Sequence, residues 1–218
     1  MRALVRFLKE QGVLIALVLL ILFGGLRYEG FLSEYNIMSV LAYSSMFGFV
    51  ALGMCFVIMT GGIDLSVGST AAMSSVVAAY ASTYGGAAGL LGGAGAGCLI
   101  GILNGLLITR LRILPFIATL ASMLAASGIG LLLANNQSVS IDYTTGFMNI
   151  GQGFWFAEPI SAIGNALLGM FGTASPDEPY VSMGLPIPAL MAAAAYVLGS
   201  IVLNHTAFGR HVLAVGGG

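Results

Sequence analysis

Gly61-Gly62-Ile63-Asp64-Leu65-Ser66-Val67-Gly68-Ser69 sets the only acid between Glu34 and Asp142 inside a long apolar stretch. A carboxylate at the centre of a membrane helix costs about 2.5 to 3.5 kcal/mol on insertion scales, so an apolar chain keeps one only at a water-facing boundary or a working site. The double glycine reads as the end of one helix, and Asp64 and Ser66 as the polar start of the next.

The sequence on either side is that of a membrane protein. Hydrophobic residues make up 58% of the chain and charged residues 7%, against roughly 25% charged in soluble domains. A net charge of −1 gives no basic surface for nucleic acid and no acidic tail. Cys55 and Cys98 sit in apolar segments and read as small buried thiols, with no disulfide and no metal site.

Apolar runs long enough to cross a bilayer fall at about 11–27, 37–60, 67–84, 88–109, 113–134 and 186–204. The fold class expected is therefore an all-α integral membrane protein of about six transmembrane helices. The first run is expected to stay uncleaved: Arg27-Tyr28-Glu29 follows Leu26 where a small-x-small site would be needed, and further spans come behind it. Six of the seven basic residues, Arg2, Arg6, Lys9, Arg110, Arg112 and Arg210, fall on one side of such a topology. Because Lys and Arg concentrate in cytoplasmic loops, this places the N-terminus inside. Arg27 falls on the other side with Glu29, Glu34, Asp142, Glu158, Asp177 and Glu178. The long segment 135–185 is then extracytoplasmic, polar and irregular. Its stretch from Pro159 to Phe171 is too short to span and reads as an interfacial or re-entrant helix.

Glycine recurs at positions 85, 89, 93, 97, 101 and 105. Glycines four apart leave a groove on one helix face that lets a neighbouring backbone approach, so Gly93, Gly97, Gly101 and Gly105 are expected to pack a neighbouring helix. The run is no phosphate cradle, since the G-x-G-x-x-G spacing is not met and no G-K-S/T follows.

No catalytic constellation is visible, because His205 and His211 stand far from Asp64 in sequence and have no carboxylate near them. Asp64 has three readings: a helix cap at a turn, a wall of a polar cavity together with Ser66 and Ser69, or a proton or cation relay. A relay needs a second intramembrane partner, which the sequence does not supply. Asn104, near the cytoplasmic end of the glycine-rich helix, and Asn36, opening the second span, either hydrogen-bond a neighbouring helix or line the same path.

Thr60-Gly61-Gly62-Ile63-Asp64-Leu65-Ser66-Val67-Gly68-Ser69 resembles the signature of the ribose/xylose/galactoside-type permeases of bacterial ABC sugar importers. Gly101-Ile102-Leu103-Asn104-Gly105, then Leu114-Pro115-Phe116-Ile117-Ala118-Thr119-Leu120, then Thr206-Ala207-Phe208-Gly209-Arg210 with Ala214-Val215-Gly216-Gly217, are similar to that family's later landmarks, in order. The resemblance implies a permease subunit in the bacterial inner membrane that pairs with a second permease copy and receives a monosaccharide from a periplasmic sugar-binding protein. It further implies no cofactor in this chain, ATP being bound and hydrolysed by separate ATPase subunits, with Phe208, Gly209 and Arg210 leading into the stretch that docks on them. Family members continue from a Gly-Gly-Asn junction into a short coupling helix and further membrane helices. A sequence ending at Gly218 is accordingly expected to form an incomplete permease bundle that does not transport by itself. The rival classes are a secondary transporter or channel, which would carry inverted repeats and coupling-ion ligands, and a membrane scaffold that moves nothing.

Overall fold

The computed structural model describes residues 11–170 and 180–217. Arg2, Arg6, Lys9, Phe171, Asp177, Glu178 and Gly218 lie outside them. Among the described residues there are nine α-helices and one two-stranded ladder. In chain order the helices are α1 Gly12–Arg27, α2 Glu34–Met59, α3 Val67–Ser82, α4 Gly86–Thr109, α5 Pro115–Leu133, α6 Phe147–Gln152, α7 Ala157–Met170, α8 Ile187–His205 and α9 Ala207–Gly216. The strands β1 Phe154–Trp155 and β2 Leu185–Pro186 pair antiparallel, Phe154 opposite Pro186.

Helices α2, α4, α5 and α8 are long and apolar enough to cross a membrane. Helices α1 and α3 have 16 residues each, about 24 Å at 1.5 Å per residue, short of the ~30 Å hydrocarbon core. The packing is that of a membrane protein. The buried positions hold small side chains, such as Ala118, Ala126, Ala192 and Ser82, while Leu132 and Phe47 are each 76% exposed. Lipid tails are as apolar as leucine, so large side chains gain nothing by turning inward, and close backbone approach through small residues drives association instead. Cys55 and Cys98 are free and lie on the surface. This corrects the expectation that they are buried: on helices whose interiors are reserved for small contacts, their segments face outward.

The chain divides into two compact units. In the first, residues 1–41 with 156–184, the turn between α1 and α2 is closed by Asn36, whose Nδ2 donates to the Phe31 carbonyl at 2.7 Å. The amide of Asn36 thus satisfies a carbonyl left over by its own turn. Glu34 accepts hydrogen bonds from Tyr180 Oη (2.9 Å), Ser182 Oγ (2.5 Å) and the Met183 N–H (2.8 Å). Helix α7 is held to the same segment through Asn165, which pairs with both backbone groups of Tyr180.

The second unit, residues 42–155 with 185–218, contains α3, α4 and α5, which share a small core of Met73, Ile100 and Ala126. Tyr80 Oη donates to the Leu133 carbonyl at 2.9 Å and ties α3 to the end of α5. Residues 135–155 are more regular than their composition suggests. Asp142 accepts from the N–H (2.8 Å) and hydroxyl (2.6 Å) of Thr144 and caps a 3₁₀ turn at Tyr143–Thr145. Those donors, the hydroxyl first, hold its carboxyl below the ordinary carboxylate range. Phe147 of α6 then packs over Gly86 and Gly89 of α4. Ala214 to Gly216 form the last turn of α9. Thr206 caps α9, its Oγ1 accepting from the Gly209 N–H at 3.3 Å, which satisfies a donor that a helix start leaves unpaired.

Candidate functional site

The break between α2 and α3 is built from its glycines. Helix α2 ends with the Gly61 N–H donating to the Ile58 carbonyl (2.9 Å) and the Gly62 N–H to the Val57 carbonyl (3.2 Å), the paired bonds of a Schellman cap. Gly61 takes φ +75°, a left-handed conformation that a side chain would resist. Residues 62–66 then run without helix. Such backbone is tolerated at membrane depth only where it is buried in protein or lines a cavity.

Asp64 turns the chain into α3. One of its oxygens accepts from the Ser66 N–H at 2.7 Å and from the Ser66 hydroxyl at 2.6 Å. Ser66, 1% exposed, occupies the N-cap position, and its own side chain makes no capping bond. With its hydroxyl donated to Asp64, Ser66 Oγ accepts from Asn104 Nδ2 of α4 at 3.1 Å. Asn104 Oδ1 in turn accepts from the Ser122 hydroxyl of α5 in a short contact. On α5, Thr119 Oγ1 donates to the Pro115 carbonyl at 2.8 Å and lies 3.3 Å from the Ile63 carbonyl within the break. One chain of polar groups therefore links the break to both neighbouring helices. Ser69 stands apart: its hydroxyl donates to the Ser66 carbonyl at 2.9 Å.

Two cavities flank this chain. One, of about 490 Å³, is lined by Thr60, Asp64, Asn104, Gly105, Thr119 and Val215 among others. A second, of about 280 Å³, is lined by Asp64, Ser66, Thr70, Ser74, Gly97 and Asn104 among others. Both include Asp64, Gly101 and Asn104, and neither includes Ser69 or a basic side chain. The geometry thus joins Asp64, Ser66 and Asn104 and leaves Ser69 aside. It also adds Thr119 and Ser122, which the sequence reading did not single out. A signal for Ser122 exists in the spacing. Ser66 and Asn104 are each 19 residues from Gly85 in the α3–α4 turn, and Asn104 and Ser122 are each nine from Ile113 in the α4–α5 turn. Residues equidistant from a tight turn between antiparallel helices stand at the same level.

The four glycines expected to pack do so unequally. A Cβ at Gly93 would lie 3.0 Å from Ala78 Cβ, and one at Gly97 3.4 Å from Ser74 Oγ. At Gly101 and Gly105 it would meet nothing within 4 Å. Both positions border the cavities, and α3, which begins at Val67, offers no helix opposite Gly105. Farther along the chain, Phe208 is exposed, its ring 6.2 Å from that of Phe56, and Arg210 is exposed. Gly209 is buried, and a side chain there would collide with the Leu203 carbonyl.

Comparison with known proteins follows the same lines. A family model described as "Branched-chain amino acid transport system / permease component" matches residues 36–217. The ribose import permease protein RbsC of Bacillus subtilis is 31% identical over 213 residues, 96% of this chain and 58% of that protein. Its Escherichia coli namesake is 32% identical over 216 residues, 97% of this chain and 59% of that protein. The xylose transport system permease protein XylH of Haemophilus influenzae is 31% identical over 244 residues, 94% of this chain and 64% of that protein. The chain thus spans less than two thirds of the length of these relatives. No solved structure matches it. With a multi-pass helical architecture and a family model covering most of its length, the chain belongs to the branched-chain amino acid transport system permease component family.

Proposed function

We propose that the chain is the membrane-spanning permease part of an ATP-driven importer that translocates a monosaccharide. The carrying observation is the line of neutral hydrogen-bonding groups, Ser66, Asn104 and Ser122, anchored by Asp64 beside two cavities at a helix break. Sugars are neutral polyols that exchange water for hydroxyls and amides. The relatives named above are ribose and xylose permeases, which favours the sugar over the amino acid of the family description.

In this reading the chain works with ATPase subunits that bind ATP, with a periplasmic sugar-binding protein and with a second permease copy, and it carries no cofactor of its own. It sits in the bacterial inner membrane with its N-terminus in the cytoplasm, and segment 135–185 faces the periplasm. The partition of basic residues supports that orientation. Exposed Phe208 and Arg210 at the start of α9 then present a cytoplasmic surface to the ATPase.

The test is uptake of labelled ribose, xylose, arabinose and galactose into proteoliposomes holding the native complex and its binding protein. ATP-dependent uptake of one of them, indifferent to excess leucine, is expected. Uptake driven by an ion gradient without ATP would make the protein a secondary transporter, stronger competition by leucine would make it an amino-acid permease, and no movement of any solute would make it a scaffold.

A further inference from the structure

The room beside the glycines of α4 is tight near the Gly85 turn and open at Gly101. A Cβ at Gly92 would lie 2.8 Å from Ala81, at Gly93 3.0 Å from Ala78 and at Gly97 3.4 Å from Ser74, and at Gly101 it would touch nothing within 4 Å. Gly101 is also, with Asp64 and Asn104, one of the residues common to both cavities. Asp64, Gly101 and Asn104 thus wall both spaces.

The smaller cavity has a second peculiarity. Serines elsewhere on these helices return their hydroxyls to a carbonyl one turn back, as Ser75 does to Ala72 and Ser82 to Ala79. Thr70 Oγ1 and Ser74 Oγ are buried and bond to no described residue. With Ser66 they stand four apart on one face of α3 along the cavity wall. A buried hydroxyl without a partner is costly, and a rotation about χ1 is the small motion that turns each toward the cavity.

We propose that the two cavities are successive chambers of one passage for a neutral polyol, joined beside the Asp64 and Asn104 side chains, and that Gly101 sets the width of the junction. Thr70 and Ser74 supply hydroxyls to the polyol in the smaller chamber. This rests on the permease reading above. A side chain added at Gly101 extends into the junction instead of into a neighbouring helix, so it narrows the passage without crowding the fold.

The experiment replaces Gly101 with Ala, Val and Leu in the native complex and measures both sugar uptake and the melting midpoint. Gly95→Leu serves as the control, since position 95 is equally open and lines neither cavity. Uptake is expected to fall stepwise, by about tenfold or more at Val and Leu, the discrimination that one or two methylenes give in a fitted pocket. The midpoint stays level or rises, and the control transports normally. In a chain lacking Cys55 and Cys98, the thiol of Gly101→Cys is expected to react with a water-soluble methanethiosulfonate and to be protected by the transported sugar. Wild-type uptake in Gly101→Leu, or a thiol reached only by a lipid-soluble maleimide, would overturn the proposal while leaving the permease reading in place. A wild-type complex that moves no sugar would remove both.

Discussion

The two ends of the α3–α4 hairpin use the same residue type for opposite purposes. Near the Gly85 turn, Gly89, Gly92 and Gly93 let α4 press against Ser82, Ala81 and Ala78 with a hypothetical Cβ no more than about 3 Å from its neighbour. At the far end, Gly101 and Gly105 face open space, and the gap is crossed by a single long polar side chain, Asn104, reaching Ser66. One end is held by dispersion between small groups, the other by hydrogen bonds beside a cavity. The contrast teaches that a glycine repeat specifies clearance, and that the neighbouring helix decides whether the clearance is filled by protein.

Substitutions sort along this contrast. Gly93→Leu drives a branched side chain into Ala78 and the Ser74 carbonyl, and overpacking of this kind is expected to destabilise by about 3 kcal/mol, read from unfolding in detergent. Next in size, Asn104→Leu strips both Ser66 and Ser122 of a partner and should cost about 1 to 3 kcal/mol by the same assay. Asp64→Asn keeps an acceptor for the Ser66 donors, so a loss of only about 0.5 to 1.5 kcal/mol is expected. Retained uptake in that variant would exclude a charge-dependent relay. At Gly105 a methyl group meets no atom, and Gly105→Ala is expected to stabilise by about 0.5 to 1 kcal/mol through helix propensity alone, reversing the sign seen at Gly93.

The smallest effect lies outside the hairpin. Thr144→Val removes the hydroxyl that contributes most to lowering the Asp142 carboxyl, so a carbon-detected NMR titration should find that pKa moved up. The folded-state value lies below the unfolded one. The stability it contributes is therefore present above the ordinary carboxylate range and lost as pH falls through the lowered value; in the Val variant the contribution is smaller and its loss is complete at a higher pH.

Much of this architecture is legible in the sequence, because apolar runs and helix-ending glycines are local signals. The ends of α2 and α3 follow from Gly61-Gly62 and from Asp64 with Ser66. The polar chain is less legible. Serine and threonine in helices usually bond their own backbone, so nothing local separates Ser122, which also reaches Asn104, from Ser75, which does not. Gly101 and Gly97 likewise look alike in sequence and differ in what a side chain there would meet. Segment 135–185 read as irregular because its order comes from pairings distant in sequence, such as Phe154 with Pro186.

Between Gly93 and Gly101 the ladder passes from dry packing to a water-lined passage. Single cysteines at positions 93, 97, 101 and 105, in a chain lacking Cys55 and Cys98, test it through their rates of reaction with a water-soluble methanethiosulfonate. Rapid modification is expected at 101 and 105, slower modification at 97, which borders the smaller cavity, and little at 93. Equal rates at all four positions, or reaction at 93 ahead of 105, would contradict it.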